Sequence, residues 1–226
     1  MCGRYTLTTS VARLGGLFEL ANRPNLPARY NIAPTQAVAV VRLEEGLRVL
    51  ASLRWGLIPS WAKDASLGAK MINARAETVA EKPAFRGAFR RRRCLVLADG
   101  FYEWRAEGKG AKQPYRMTLK DGEPFAFAGL WETWTPADGE AVASCTIVTC
   151  AANDLLQPPH ERMPVILPPG ALRDWLDPVA EAAALQALLR PYPSAAMTFS
   201  AVSTRVNSVR NDDPDCIAPL AATRLL

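Results

Sequence analysis

Histidine is nearly absent from this chain: among 226 residues there is one, His160. The five cysteines, Cys2, Cys94, Cys145, Cys150 and Cys216, include no C-x-x-C pair. With one imidazole and no paired thiols, neither a structural zinc site nor a dithiol redox site is expected. The odd cysteine count fits a reduced compartment. If residues 144–151 form a strand, the offset of five places Cys145 and Cys150 on opposite faces, which excludes a bridge between them. No apolar run approaches the roughly 20 residues of a membrane span. The start lacks the basic segment and apolar stretch of a signal peptide, so a cytoplasmic, nucleoid-associated protein with no membrane partner is expected. There is no G-x-G-x-x-G or P-loop sequence, no repeat and no low-complexity tract, so no nucleotide cofactor is expected.

The composition is that of an ordinary globular chain, 49% hydrophobic and 22% charged, and it suffices for a sizeable core. The net charge of +5 permits an anionic partner without demanding one. Short β-like runs lie between turn signals. Residues 37–43 and 47–55 flank Glu45-Gly46 and predict a hairpin. Residues 93–98 and 101–105 predict strands on either side of Asp99-Gly100. A second hairpin is predicted from 115–119 and 125–134 around Asp121-Gly122, with further strands at 144–151, 164–167 and 197–203. Helical signals are fewer. Thr9 or Ser10 caps a helix through Leu20, weakened by Gly15-Gly16. Pro83 suits the first position of a helix through Phe89, and 171–176 and 179–189 are apolar at helical spacing. Antiparallel strands with helices around them indicate an α+β fold rather than a βαβ parallel sheet. Residues 56–81 are weakly patterned, and a loop of that length in a compact domain is usually functional or disordered.

Cys2 is the most informative residue. Loss of Met1 would leave a 1,2-aminothiol, whose amine condenses with an aldehyde and whose thiol then closes a thiazolidine. With reference pKa values of about 8 and about 8.5, both groups are partly reactive near neutral pH. His160 lies in Gln157-Pro158-Pro159-His160-Glu161-Arg162-Met163-Pro164, where prolines stiffen the loop at both ends, and it exchanges protons near neutrality. Arg162 in the same loop suits a phosphate. Glu103, between Tyr102 and Trp104, is a candidate proton carrier if partly desolvated. It shares a strand face with Phe101 and Arg105, so an ordinary pair with Arg105 is the alternative. Asn73 can hydrogen-bond a substrate oxygen, and Arg75 can clamp a phosphate. Trp55, Trp61 and Pro59 offer a platform for an unstacked base, or else core packing. The basic run at 90–93 follows a predicted helix end, where it complements the dipole.

These segments closely resemble the SOS-response-associated peptidase (SRAP) family of abasic-site processing proteins. The matching stretches are Met1-Cys2-Gly3-Arg4-Tyr5, Arg29-Tyr30-Asn31-Ile32-Ala33-Pro34-Thr35-Gln36, Trp55-Gly56-Leu57-Ile58-Pro59-Ser60-Trp61 and Asn73-Ala74-Arg75-Ala76-Glu77-Thr78. They continue with Arg93-Cys94 through Gly100-Phe101-Tyr102-Glu103-Trp104, Ala128-Gly129-Leu130-Trp131-Glu132, His160-Glu161-Arg162-Met163-Pro164, and Val206-Asn207 through Asn211-Asp212. Leu97 departs from the pattern, where many relatives are expected to carry proline. The resemblance implies a single SRAP domain over residues 1–226, mainly antiparallel sheets with short flanking helices and a basic groove. It implies catalytic roles for Cys2, Asn73, Glu103 and His160, with Cys2 cross-linking to the ring-opened aldehyde of an abasic site. Arg4, Arg75 and Arg162 would hold phosphates, and Pro34, Trp55 and Trp61 would wedge against bases. The implied partner is single-stranded DNA containing abasic sites, bound by a monomer. Two other functions compete: an N-terminal-nucleophile cysteine peptidase that removes Met1 autoproteolytically, and a non-enzymatic reader of modified bases in DNA.

Overall fold

A computed structural model of the chain describes residues 2–106, 110, 112–137, 139–157 and 160–220. In chain order the elements are β1 (Tyr5–Leu7), α1 (Val11–Leu17), β2 (Arg29–Ile32), β3 (Ala37–Glu44), β4 (Leu47–Trp55), β5 (Asn73–Arg75), α2 (Arg86–Arg91), β6 (Arg93–Ala98) and β7 (Gly100–Arg105). They continue with β8 (Gln113–Leu119), β9 (Phe125–Trp134), β10 (Val142–Ala151), β11 (Arg162–Pro164), β12 (Ile166–Leu167), α3 (Leu172–Leu176), α4 (Ala182–Ala187) and β13 (Met197–Ala201). Mostly antiparallel strands with a few short helices make the fold α+β.

Two sheets organise these strands. The smaller runs β13-β8-β7-β1-β2. The larger runs β11-β10-β4-β3-β6-β9-β12, with β5 alongside β10. Because β10 also pairs with β9, the path β10-β4-β3-β6-β9 closes on itself as a barrel. Closure removes free edges and lets both faces of β6 be buried, so its run Arg93–Ala98 lacks the polar alternation of a half-exposed strand. The main core runs through both sheets: Tyr5, Phe101 and Met117 from the smaller pack with Trp55, Leu95, Phe127 and Ile147 from the larger.

The β3–β4 hairpin forms as its sequence predicts. Glu45 and Gly46 both adopt positive φ, 51° and 81°, the two left-handed residues of a turn matched to strand twist. The second predicted hairpin does not form. β8 joins β7 and β13 in the smaller sheet, whereas β9 joins the barrel, so the turn around Gly122 passes the chain between sheets. Turn residues specify local reversal but not which neighbour each strand finds. The strand expected at 164–167 is likewise split. β11 lies on β10 and β12 on β9, with Val165 bonded to Val148 and Ala128 between them. Two pairings of β10, with β4 and β5, are parallel, so the ladder is not wholly antiparallel.

The helices are shorter than their apolar spacing predicts. Ser10 caps α1 through Arg13 N, but the helix stops at Leu17, just before Glu19 turns to a φ of 54°. α2 begins at Arg86 rather than at Pro83, and α4 covers only Ala182–Ala187 of the expected 179–189. In the basic run, Arg93 is buried. Its guanidinium donates to the carbonyls of Phe89, Arg90, Trp175 and Asp177, satisfying carbonyls at the ends of α2 and α3. Arg92 pairs with Glu132 at 2.5 Å. Among the described residues, no helix is long and apolar enough to cross a membrane.

A buried carboxylate locks β1 to β7. Asp99 accepts from the Thr6 hydroxyl at 2.6 Å and from the main-chain N–H and hydroxyl groups of Thr8 and Thr9, and Arg116 lies 3.1 Å away. Burial opposes its charge, yet the Thr6 and Thr8 donors and Arg116 outweigh that and hold its pKa below the usual carboxylate range.

Candidate active site

Cys2 lies just ahead of β1. Tyr5 pairs with Phe101, and Tyr102 N donates to the Arg4 carbonyl at 2.9 Å, which brings the first residues alongside β7. Cys2 is fully buried. Its carbonyl accepts a 2.8 Å hydrogen bond from Asn73 Nδ2. Asn73 opens β5, the three-residue strand that the weakly patterned segment 56–81 lays parallel to β10. Asn73 Oδ1 is buried and has no hydrogen-bond partner among the described residues.

Glu103 comes from β7 and His160 from the connection between β10 and β11. They meet at 3.2 Å, Nδ1 to Oε2, with side chains 5% and 15% exposed. The contact has ion-pair distance, but burial shifts both partners towards neutrality: it raises Glu103 to about 7 and lowers His160. A ring proton on Nδ1 would face both this carboxylate and the Trp104 main chain, which also bonds the imidazole. That proton makes Nε2 the bare nitrogen, and that atom is buried with no partner among the described residues. Burial, and then the nearby Glu103 charge, push the Cys2 thiol far up. The site therefore holds a neutral thiol beside a carboxyl group balanced between its two forms near pH 7.

The alternative pair of Glu103 with Arg105 does not form. Arg105 donates to the Leu155 carbonyl and stacks over Tyr115 and Phe199. The stiffening attributed to Pro158 and Pro159 falls on residues outside those described.

The candidate DNA contacts divide. Trp61 is 60% exposed and Arg75 is exposed, with no side-chain hydrogen bond among the described residues. Pro34 is partly exposed. Trp55 is corrected: it is fully buried, edge-on to Tyr5, and donates Nε1–H to the Ile72 carbonyl, so neither ring face is open to a base. Pro59 is buried as well. Arg4 is turned inward, bonded to Asn31 Oδ1 and the Val206 carbonyl at 2.7 Å each. Arg162 forms a two-point contact with Glu77 and also bonds the Thr149 hydroxyl and carbonyl. Both guanidiniums thus donate to acceptors within the protein, and no spacing in the sequence signals the partners Asn31, Glu77 or Thr149.

The loop that presents Trp61 is held by two glycines. A Cβ on Gly56 would lie 2.6 Å from the Gly68 carbonyl oxygen, and one on Gly68 would lie 2.6 Å from the Gly56 carbonyl oxygen. Only glycine permits that backbone crossing. Ile58, Ala62 and Trp134 form a small separate core beneath, and Trp134 donates to the Ala62 carbonyl at 2.7 Å.

Fold and site define a mixed-β protein with a cysteine-centred acid–base constellation between two sheets. The chain belongs to the SRAP family: residues 1–209 match the family described as SOS response associated peptidase. It is 42% identical over 221 residues to the abasic site processing protein YoqW of Bacillus subtilis (strain 168), covering 96% of this chain and 99% of that one. It is 36% identical over 197 residues to the abasic site processing protein HMCES of Gallus gallus, covering 76% of this chain and 58% of that protein. A crystal structure of a Bacteroides thetaiotaomicron protein superposes with a TM-score of 0.88 at 25% identity, over 97% of this chain and all (100%) of that one. A Bordetella bronchiseptica protein gives 0.75 at 32% identity, over 89% and 100%.

Proposed function

We propose that this chain is an abasic-site processing protein, one domain throughout, that captures the aldehyde of an abasic site in single-stranded DNA on Cys2. The observation that carries the reading is the setting of Cys2. Its carbonyl is bonded to Asn73, Glu103 lies within electrostatic reach, and two buried polar atoms, Asn73 Oδ1 and His160 Nε2, lack partners among the described residues. Buried polar atoms without partners are costly, and a bound sugar and amine would satisfy them. The names of relatives across the chain's length support the same substrate.

In the proposed reaction, loss of Met1 frees the Cys2 α-amine. The amine adds to C1′ of the ring-opened sugar, and the resulting carbinolamine loses water to give an imine. Glu103 in its acid form protonates the departing hydroxyl and takes up the nitrogen's proton as the imine forms. The Cys2 sulfur then bonds to the imine carbon while its proton passes, through Glu103, to the imine nitrogen. The product is a thiazolidine, with one water released overall. A neutral thiol favours this order, in which the amine attacks first. Asn73 Oδ1 orients the amine, and His160 Nε2 assists ring opening at a sugar oxygen. Arg75 holds a backbone phosphate, while Trp61 and Pro34 support neighbouring bases.

A denaturing gel with single-stranded DNA bearing one abasic site tests the proposal. Wild type is expected to give a shifted band, and Cys2→Ala none. A lysine inserted between Met1 and Cys2 is also expected to give none, because it separates the amine from the thiol. A wild type that leaves the DNA unshifted, or a Cys2→Ala protein that shifts it, sinks the reading. Trp61→Ala is expected to weaken non-covalent binding of the same strand by about tenfold without lowering Tm. Unchanged affinity in a binding titration removes Trp61 from the DNA surface.

A further inference from the structure

Glu103 alone does not fix His160. The imidazole sits at the end of a turn: on its far side the chain is held where Ala152 N donates to the Glu161 carbonyl at 3.0 Å, and on its near side by the turn itself. That turn is internally bonded: Leu156 N and Gln157 N donate to the Asn153 carbonyl, and His160 N donates to the Leu156 carbonyl at 3.2 Å. Leu155 lies inside that turn, next to Leu156, whose carbonyl His160 N meets. Arg105 holds Leu155, with Nη2 donating to its carbonyl at 2.9 Å. The guanidinium is itself fixed, 5.2 Å above the Tyr115 ring of β8 and 4.6 Å above the Phe199 ring of β13. Two residues apart on β7, Glu103 and Arg105 share a strand face. One takes the ring of His160 and the other takes the turn that carries it.

We propose that Arg105 is the positioning residue for His160, pinning the 153–157 turn to β7 so that the imidazole keeps Nδ1–H on Glu103 and Nε2 bare. The role rests on the reading of His160 as a catalytic group given above. Arg105 touches no reacting atom in this scheme. It acts through geometry: a free neutral imidazole prefers the opposite tautomer, with the proton on Nε2, so the Nδ1–H form persists only while Glu103 stays in register with the ring. A rigid planar fork that both stacks and hydrogen-bonds suits this task better than a lysine's single flexible ammonium.

The chain's lone histidine makes the test direct. In full-length, untagged protein labelled with 15N at histidine, the ring nitrogen shifts at pH 8 report the tautomer of His160 and nothing else. Wild type is expected to show protonated Nδ1 and bare Nε2. Arg105→Gln is expected to shift the signals towards the mixture of free imidazole, and Arg105→Lys to fall between. A folded Arg105→Gln protein, verified by its backbone amide spectrum, with wild-type ring shifts overturns the proposal. If Arg105→Gln does not fold, wild-type shifts in Arg105→Lys overturn it equally. With abasic single-stranded DNA, Arg105→Gln is also expected to cross-link about tenfold more slowly. The two readouts separate the claims. Tautomer changes in a protein that never cross-links refute the DNA reaction and leave the positioning role standing, whereas cross-linking with an unmoved tautomer does the reverse.

Discussion

Glu103→Gln is expected to slow the proposed DNA capture and at the same time to stabilise the protein above neutral pH. The loss of rate is expected on the order of a hundredfold or more, the range for removing a positioned acid–base group. The gain in stability follows from burial. The Glu103 carboxyl is raised to about 7 in the folded chain, against about 4.3 when unfolded. The folded state thus binds this proton more tightly than the unfolded state does. That contribution to stability is fully present below about pH 4.3 and is lost as pH rises through about 7. Wild type therefore carries an unfavourable buried charge at pH 8, on the order of 3–4 kcal/mol, which glutamine removes. Thermal melts should show Glu103→Gln level with wild type near pH 4 and higher by about 5–10 °C at pH 8. A difference in Tm that does not grow with pH contradicts the assignment. The capture rate supplies a second check: in wild type it should change through a midpoint near 7, and in Glu103→Gln it should be flat there.

Asp99→Ala is expected to cost the most stability of any single change near the site. The substitution strips an acceptor from Thr6, Thr8 and Thr9 and leaves Arg116 beside an empty position. Breaking one partner of such a buried pair costs about 3–5 kcal/mol, a fall in Tm of roughly 10 °C or more. Asp99→Asn keeps the shape but loses the charge, and it isolates the effect of pH. The depressed folded pKa of Asp99 gives stability that is present above the unfolded value, about 3.9, and is lost as pH falls through the folded one. The gap between wild type and Asp99→Asn should therefore be full at pH 7 and narrow on acidification below about 4. A constant gap measured by urea titration at several pH values contradicts this. Because Thr6 lies in β1, loosening Asp99 is also expected to loosen the placement of Cys2.

The contrast between these two carboxylates marks how far the sequence can be read. Asp99-Gly100 reads as a turn and Glu103 as one member of an alternating strand, and both sit where those patterns predict. That Asp99 is charged and gripped by donors, while Glu103 is desolvated beside an imidazole, depends on Thr6, Thr8, Arg116 and His160, which lie up to 93 residues from Asp99 and 57 from Glu103 in the chain. Trp55 and Trp61 make the same point. Both stand in one motif six residues apart, yet one is fully buried against Tyr5 and the other is 60% exposed.

By itself, the sequence determined the features that depend on near neighbours. These are the Glu45-Gly46 reversal, the apolar run that follows Arg93 in β6, the Ser10 cap, and the motifs that place Cys2, Asn73, Glu103 and His160 in one family pattern. Local dihedral preference and hydrophobic period act over a few residues, so they are legible there. Tertiary structure decided that β8 and β9 part into different sheets and that Arg4, Arg93 and Arg162 spend their donors inside the protein. It also decided that Glu103 faces His160 while Arg105 holds the turn behind it. These outcomes turn on which distant surfaces bury each other, and desolvation, which sets the chemistry of Cys2 and Glu103, exists only once that burial has occurred.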